Sequence, residues 1–314
     1  MDADELIESV IRAFMFMAGI LGNSWLALIS LPKQKSDIRT NEVLFINLAA
    51  SNLITNYLVD LPDTTADFAG RWFLGEAFCG IFHFCADLSE TSSLFTTLFI
   101  SAFWHQKLVG SLKRGGAPVQ LDSLRLVGCL LAGSWVLATT FSIPNFFFAS
   151  VERTNGSHVD CVQVFPDPRS RRTYEITFLT VANALPLAGI VVASAQIVVT
   201  LLRIQRHKRS RRSPSANSQT DHRVRPQPSS STATQRSHTS SPQARAAKSV
   251  VAVATVVLLC WLTHLLLRIS SNIQASSLVV EVASYVASSY TSIIPYIFLH
   301  GVKKLSCSCK TVND

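Results

Sequence analysis

Long apolar blocks recur along the chain, and their length constrains the fold more than any other feature of the sequence. A helix needs roughly 20 apolar residues to cross the hydrocarbon core of a bilayer, and several blocks meet that length. Only 15% of the residues are charged, whereas soluble domains carry about 25%. Backbone polar groups in lipid must hydrogen-bond within their own segment, so each block should be a helix. The sequence therefore predicts a membrane protein.

The apolar blocks number seven, which predicts an all-α membrane protein with a seven-transmembrane helix bundle. Stretches rich in charge, Pro, Gly, Ser or Asn separate the blocks. Spans one to seven are predicted at 6–31, 40–61, 78–104, 124–147, 176–202, 247–267 and 278–299. The chain thus divides into spans one to five within 1–202, a loop at 203–246, spans six and seven within 247–299, and a tail at 300–314.

Basic residues follow spans one, three, five and seven, whereas the alternate loops are acidic or balanced. The loop between spans two and three, for example, carries Asp63 and Asp67 against Arg71. Basic loops remain in the cytoplasm, so this pattern places the N-terminus outside and the C-terminus inside. The basic residues are Lys33, Lys35, Arg39, Lys107, Lys113, Arg114, the run within 203–212, Lys303, Lys304 and Lys310.

The loop after span five accounts for the net charge of +8. Residues 203–248 contain eleven Lys or Arg and one acid, Asp221. A solvated cytoplasmic loop explains this charge better than a nucleic-acid groove does, so we expect no nucleic-acid partner. The Ser/Thr-rich tract cannot bury a core and is predicted to be disordered, with its basic start near the anionic membrane lipids. Ser210 and Ser213 lie among arginines and are candidate phosphorylation sites.

The predicted orientation gives the cysteines and one asparagine distinct environments. Cys79 and Cys161 fall on the oxidising outer side, where we expect a disulfide between them rather than two unrelated thiols. Asn155 lies in the same outer loop and begins a glycosylation sequon. Cys307 and Cys309 follow span seven beside lysines, so they are either palmitoylation sites or free cytosolic thiols.

Ionisable side chains within the spans indicate a candidate ligand site. A charge inside a span costs roughly 2.5–3.5 kcal/mol on insertion scales and usually faces a partner or a wet cavity. In span three, His83, Asp87 and Glu90 are spaced i, i+4 and i+7, so they share one helical face. All the ionisable candidates fall in the outer half of the bundle. The candidate ligand-binding residues are His83, Asp87, Glu90, Trp261, His264, Arg268 and Glu281.

Two interpretations of this cluster remain open. The acids of span three face basic groups of span six across a ligand pocket, or the same groups form interhelical salt bridges that only stabilise the bundle. The ligand charge is also open, because Arg268 would bind a carboxylate or sulfate and Asp87 with Glu90 would bind an amine. We favour a small polar or acidic aromatic ligand on Arg268. No metal-ligand spacing or cofactor motif stands out, so no metal and no cofactor are predicted.

Short motifs fall in a fixed order along the spans: Gly22-Asn23, residues 47–53, Cys79, Trp135, Pro186, Cys260-Trp261 and Pro295. Their order resembles that of the rhodopsin-like receptors. The departures are also informative. Asn52 stands where that family has an acid, Phe103-Trp104-His105 replaces its Asp-Arg-Tyr triplet, and Thr263 stands where a proline is usual.

This pattern of departures is similar to the vomeronasal type-1 receptors and their fish olfactory relatives. Residues 31–33, 37–41 and 289–295 are also similar to that group. The resemblance implies a chemosensory G-protein-coupled receptor of the plasma membrane in chemosensory neurons, which detects a small odorant or pheromone and activates a heterotrimeric G protein of the inhibitory type.

Three other functions fit the sequence less well. Bitter taste receptors share some of the departures and are the nearest alternative. A seven-span transporter would be favoured by matching halves with broken helices, which the sequence does not show. No nucleophile or phosphate-loop motif stands out, so we do not expect an enzyme.

Overall fold

The computed structural model describes residues 3–32, 38–112, 119–154, 158–212, 240–270, 282–283, 285–286 and 288–309. These residues are mostly helical, with one β-hairpin. The helices are α1 (Ala3–Ser30), α2 (Thr40–Thr55), α3 (Leu61–Ala69), α4 (Gly75–Leu112), α5 (Leu124–Phe147), α6 (Pro168–Phe178), α7 (Leu185–Arg212), α8 (Ser240–Ser270) and α9 (Tyr290–Cys309). The strands are β1 (Ala149–Thr154) and β2 (His158–Gln163).

These helices form the predicted seven spans. Span two joins α2 to α3 through a π-helical turn, Asn56–Asp60, and span five joins α6 to α7 through a second π-helical turn, Leu179–Ala184. Spans one, three, four and six are the single helices α1, α4, α5 and α8. In span seven, α9 begins at Tyr290 after a turn at Ser289, and the described residues before that turn, 282–283, 285–286 and 288, are helical. Among the described residues, five helices are long and apolar enough to cross a membrane, judged by length and composition alone. Span three and the described part of span seven fall outside that group. In span three, serines, threonines and acids interrupt the apolar residues.

Several helices extend past the predicted span boundaries. Span two continues from the predicted end at Leu61 to Ala69, where Gly70 ends it in the left-handed conformation with φ 63°. The loop at 203–246 was predicted to be disordered, but its residues 203–212 and 240–246 are helical. Arg, Lys, Gln and Ala are good helix formers, and basic residues at the C-terminus of α7 interact favourably with its dipole. A helix therefore persists beyond the hydrocarbon layer.

The outer loop after span four folds into an antiparallel hairpin, which the sequence reading did not predict. Strands β1 and β2 pair with Val151 opposite Cys161. The predicted disulfide joins Cys161 to Cys79 at the outer end of span three, with a Cα–Cα distance of 5.6 Å. The disulfide prediction is thus confirmed, and the hairpin is attached to the bundle.

At the start of α6, the side chain of Asp167 accepts hydrogen bonds from the backbone N–H groups of Arg169 and Ser170 and from the Ser170 hydroxyl. The hydrogen bonds from Ser170 hold the pKa of Asp167 below its usual value. This N-cap fixes where span five begins.

Candidate functional site

The hairpin covers the outer end of span three. The Trp72 backbone N–H donates to the Val159 carbonyl at 2.6 Å, and the Trp72 ring meets the Phe82 ring edge to face at 5.3 Å. Immediately below, His83 Nδ1 lies 3.3 Å from Gln163 Nε2 of β2. The first predicted site residue, His83, therefore contacts the hairpin.

Asp87 lies one turn further into the bundle, and its hydrogen-bond partners are on spans four and five. One carboxylate oxygen accepts a hydrogen bond from Asn145 Nδ2, and the Tyr174 hydroxyl lies 2.8 Å from that same oxygen. The Tyr174 hydroxyl is also 2.8 Å from the Phe141 carbonyl oxygen. Asn145 is buried and provides the charge-assisted hydrogen bond that a carboxylate needs in a membrane. Asp87 thus connects three spans.

Glu90, the third member of the span-three face, is half-buried and lies within electrostatic reach of Tyr290 in span seven. The Tyr290 side chain hydrogen-bonds Thr55 and also lies within reach of Asp60. Thr55 in turn donates to the Ser89 hydroxyl at 2.8 Å. Glu90 therefore belongs to a polar group that joins spans two, three and seven.

One outer cluster was missed by the sequence analysis. Arg12 of span one is 3.1 Å from Asp63 Oδ2, 3.3 Å from Asp67 Oδ2 and 2.7 Å from Glu8 Oε1. Asp63 and Asp67 were read as loop residues, but α3 carries both toward span one. The signal was available, because Arg12 is the lone basic residue of predicted span one and the two acids are spaced i, i+4 on one helical face.

Two clefts open beside this cluster on the outer side. The larger has a volume of about 330 Å³ and is lined by Arg12, Asp63, Asp67, Trp72, Phe82 and Asp160 among others. The smaller, of about 200 Å³, lies between Arg12, Asp60 and Thr291. Acids outnumber basic residues in both linings, so the outer surface between spans one, two and three favours positive groups.

Asn52 replaces the acid of the rhodopsin-like pattern, and its side chain is part of a neutral network. Asn52 Nδ2 donates to Asn23 Oδ1 at 3.0 Å, and the Ser93 hydroxyl donates to Asn52 Oδ1 at 3.0 Å. Asn23 itself donates to the Thr291 carbonyl at 2.9 Å. Because neutral donors and acceptors match each other here, the network needs no cation to balance a charge.

The inner end of span three, where the arginine of the Asp-Arg-Tyr triplet is missing, is held by other residues. Phe103 is buried in the hydrophobic core. Lys107 Nζ lies 2.5 Å from Asp122 Oδ2 in the short loop before span four, and it sits 5.5 Å from the Phe103 ring centroid. Gln106 accepts the Leu121 backbone N–H at 3.2 Å. Span three is therefore bound directly to the loop before span four, by this ion pair and this hydrogen bond.

Of the remaining predicted site residues, the structure describes Trp261 but not the side chains of the others. Trp261 is half-buried and packs against the core. Asn155, Ser213 and Glu281 lie outside the described residues, and so do the side chains of Ser210, His264, Arg268, Cys307 and Cys309. Their proposed ligand, glycan, phosphate and acyl roles stay predictions.

Cys79, His83 and Cys161 bring potential metal-ligand atoms within 4.8 Å of one another. The two sulfur atoms are bonded to each other in the disulfide. They therefore offer no thiolate to a metal ion.

The chain matches a known family over most of its length. The model of the family described as 7 transmembrane receptor (rhodopsin family) matches residues 22–297. The crystal structure of squid rhodopsin superposes with a TM-score of 0.73 at 16% sequence identity, over 99% of this chain and 86% of that chain. This similarity shows the fold.

Curated relatives include receptors for different ligands. C-X-C chemokine receptor type 4-B of Xenopus laevis is 26% identical over 199 residues, which are 63% of this chain and 53% of the relative. Galanin receptor type 1 of Homo sapiens is 25% identical over 198 residues, which are 62% of this chain and 55% of the relative. The chain thus matches about half the length of these curated relatives.

Proposed function

Because the chain belongs to the rhodopsin family of seven-transmembrane receptors, we propose that it is a chemosensory receptor of the plasma membrane. Its proposed ligand is a small odorant or pheromone that enters from the outer side. Its proposed output is activation of a heterotrimeric G protein, of the inhibitory type, at the cytoplasmic side, and its proposed site of expression is the chemosensory neuron.

The observation that carries the chemosensory proposal is the inner end of span three. Phe103-Trp104-His105 stands where rhodopsin-like receptors have Asp-Arg-Tyr, and the buried Phe103 together with the Lys107–Asp122 ion pair occupies that region instead. With the neutral Asn52 network, this departure is similar to the vomeronasal type-1 group.

The proposed ligand pocket lies between spans three, six and seven, beneath the hairpin. His83 and Glu90 line its span-three side, and Trp261 contributes from span six. Asp87 is better explained as a structural residue, because its carboxylate is already held by Asn145 and Tyr174. For the remaining part of the pocket we propose Arg268, His264 and Glu281, with Arg268 binding a small acidic aromatic ligand.

A peptide ligand is the second candidate, and the acidic outer clefts favour it. Glu8, Asp63, Asp67 and Asp160 line the larger cleft, which suits a basic peptide segment. Two relatives are named as chemokine and galanin receptors, so peptide recognition is a reasonable second hypothesis for this chain.

Cells that express the full chain with a promiscuous G protein test the proposal. The panel contains small aromatic acids, amines, steroids and short basic peptides, and the readout is a second messenger. We expect a small acid to activate the receptor, and Arg268→Ala to weaken its potency by roughly tenfold or more through the lost charged hydrogen bonds. The matched control is Arg172→Gln, an exposed arginine of α6 on the outer side, which should respond as wild type.

Each other outcome points elsewhere. An unchanged potency in Arg268→Ala removes the acidic-ligand assignment. Activation by peptides alone, lost on Asp63→Asn, supports the second candidate. Ligand uptake without a second messenger contradicts the receptor function itself.

A further inference from the structure

Two apolar grooves run along the lipid-facing surface of spans one, six and seven. The long groove has a volume of about 860 Å³ and extends from Ile11 and Phe14 of span one to Lys248 and Ala252 of span six. The short groove, of about 490 Å³, lies between Leu21, Trp25 and span seven. Such surface must be covered by acyl chains or by another hydrophobic partner in the membrane.

Tyr296 and His300 of span seven line both grooves. The Tyr296 ring is 47% exposed, and its hydroxyl donates to the Ala18 carbonyl at 2.9 Å. A Cβ at Gly22 would lie 2.8 Å from Pro295 Cγ and 2.9 Å from the Tyr296 ring, so glycine is what lets span one approach so closely. The Tyr296 side chain is therefore held in place between the long groove and the short groove.

The cytoplasmic end of this surface is positively charged. Lys248 and His300 are both exposed there, at the inner limits predicted for the hydrocarbon parts of spans six and seven. Residues 9–30, 240–270 and 290–309 of the three helices contain no Asp or Glu, and Lys303 and Lys304 come shortly after His300 in the sequence. Basic sites between helices on the cytoplasmic side attract anionic lipid headgroups.

We propose that the two grooves form a binding site for one anionic phospholipid of the cytoplasmic leaflet. Lys248 and His300 hold the phosphate-bearing headgroup, and Tyr296 separates the two acyl chains, one in each groove. A sterol has one rigid ring system and no charge, so it would fill only one of the two grooves and would not pair with Lys248. The headgroup lies at the inner ends of spans six and seven, the acyl chains extend outward along the grooves, and the bound lipid stabilises the packing of spans one, six and seven.

The experiment uses the purified full chain in nanodiscs of three compositions: phosphatidylcholine alone, with added phosphatidylserine, and with added cholesterol. Native mass spectrometry counts retained lipids, and thermal unfolding reports stability. We expect phosphatidylserine to be retained and to raise the melting temperature, and Lys248→Gln to weaken that retention by roughly fivefold. Lys248→Arg keeps the charge and should bind as wild type.

Two further variants make the result specific. Ala252→Trp, on an exposed position of the long groove, fills a channel without removing charge and should also reduce phosphatidylserine retention. Arg203→Gln removes an equivalent surface charge outside both grooves and should have no effect. The proposal is overturned if Lys248→Gln retains phosphatidylserine like wild type, if Arg203→Gln loses it equally, or if only cholesterol stabilises the protein.

Discussion

Asp87 shows how the family fold accommodates a carboxylate inside a span. Among the described side chains, neutral donors from spans four and five hold its carboxylate. The buried Asn145 side chain donates one hydrogen bond, and the Tyr174 hydroxyl lies 2.8 Å from the same carboxylate oxygen. Hydrogen bonds to an ionised group are worth more than those between neutral groups, so a few well-placed donors stabilise the carboxylate.

Removing the Tyr174 hydroxyl should therefore weaken the bundle measurably. Tyr174→Phe keeps the ring, which stacks on Phe178 at 6.0 Å, but deletes one donor to the Asp87 carboxylate. We expect the free energy of unfolding to fall by about 1.5–3 kcal/mol, seen as a lower melting temperature of the purified protein. Tyr57→Phe is the control, since the Tyr57 ring is 47% exposed; an equal shift in both variants would contradict the assignment.

At the scale of the element, spans two and five each contain a π-helical turn. Such turns insert an extra residue and change which face of the following helix meets the bundle. In span two the turn precedes α3, whose Asp63 and Asp67 then face Arg12 of span one. The ion-pair cluster therefore depends on an irregularity in the helix as well as on the spacing of its acids.

The inner end of span three offers a test of how this element is anchored. Lys107→Gln and Asp122→Asn, singly and together, form a double-mutant cycle on thermal unfolding. Both side chains are partly exposed, so we expect a coupling energy of about 0.2–1 kcal/mol that decreases as salt is added. A coupling energy of zero at low salt would show that the ion pair does not hold the loop against span three.

At the scale of the whole molecule, the two faces of the bundle differ in charge and in structure. The outer face carries the disulfide-linked hairpin and the acidic clefts. The inner face carries the basic ends of α7, α8 and α9. This asymmetry places the proposed ligand entry and the proposed G-protein contact on opposite sides of the bilayer.

The orientation itself can be measured. An epitope at the N-terminus should be reached by antibody on intact cells, and one at the C-terminus only after permeabilisation, because the basic loops remain in the cytoplasm. Cells that carry each tag separately provide the comparison. Equal accessibility of both ends on intact cells would rule out an odd number of spans.

The sequence alone determined the number of spans, their order and the outer disulfide. Span length and loop charge are local properties that the bilayer itself imposes, so they can be read from the chain without any contact. Cys79 and Cys161 could be paired because the orientation left both on the oxidising side.

Only the tertiary structure decided which side chains meet. His83, Asp87 and Glu90 share one helical face, yet they contact the hairpin, spans four and five, and span seven respectively, because a long helix crosses different neighbours at different depths. Arg12 and its acids come together through a helix extension and a π-helical turn that apolar periodicity does not encode. Which side chains contact each other depends on how the helices pack, and that packing is decided by contacts between residues that are far apart in the sequence.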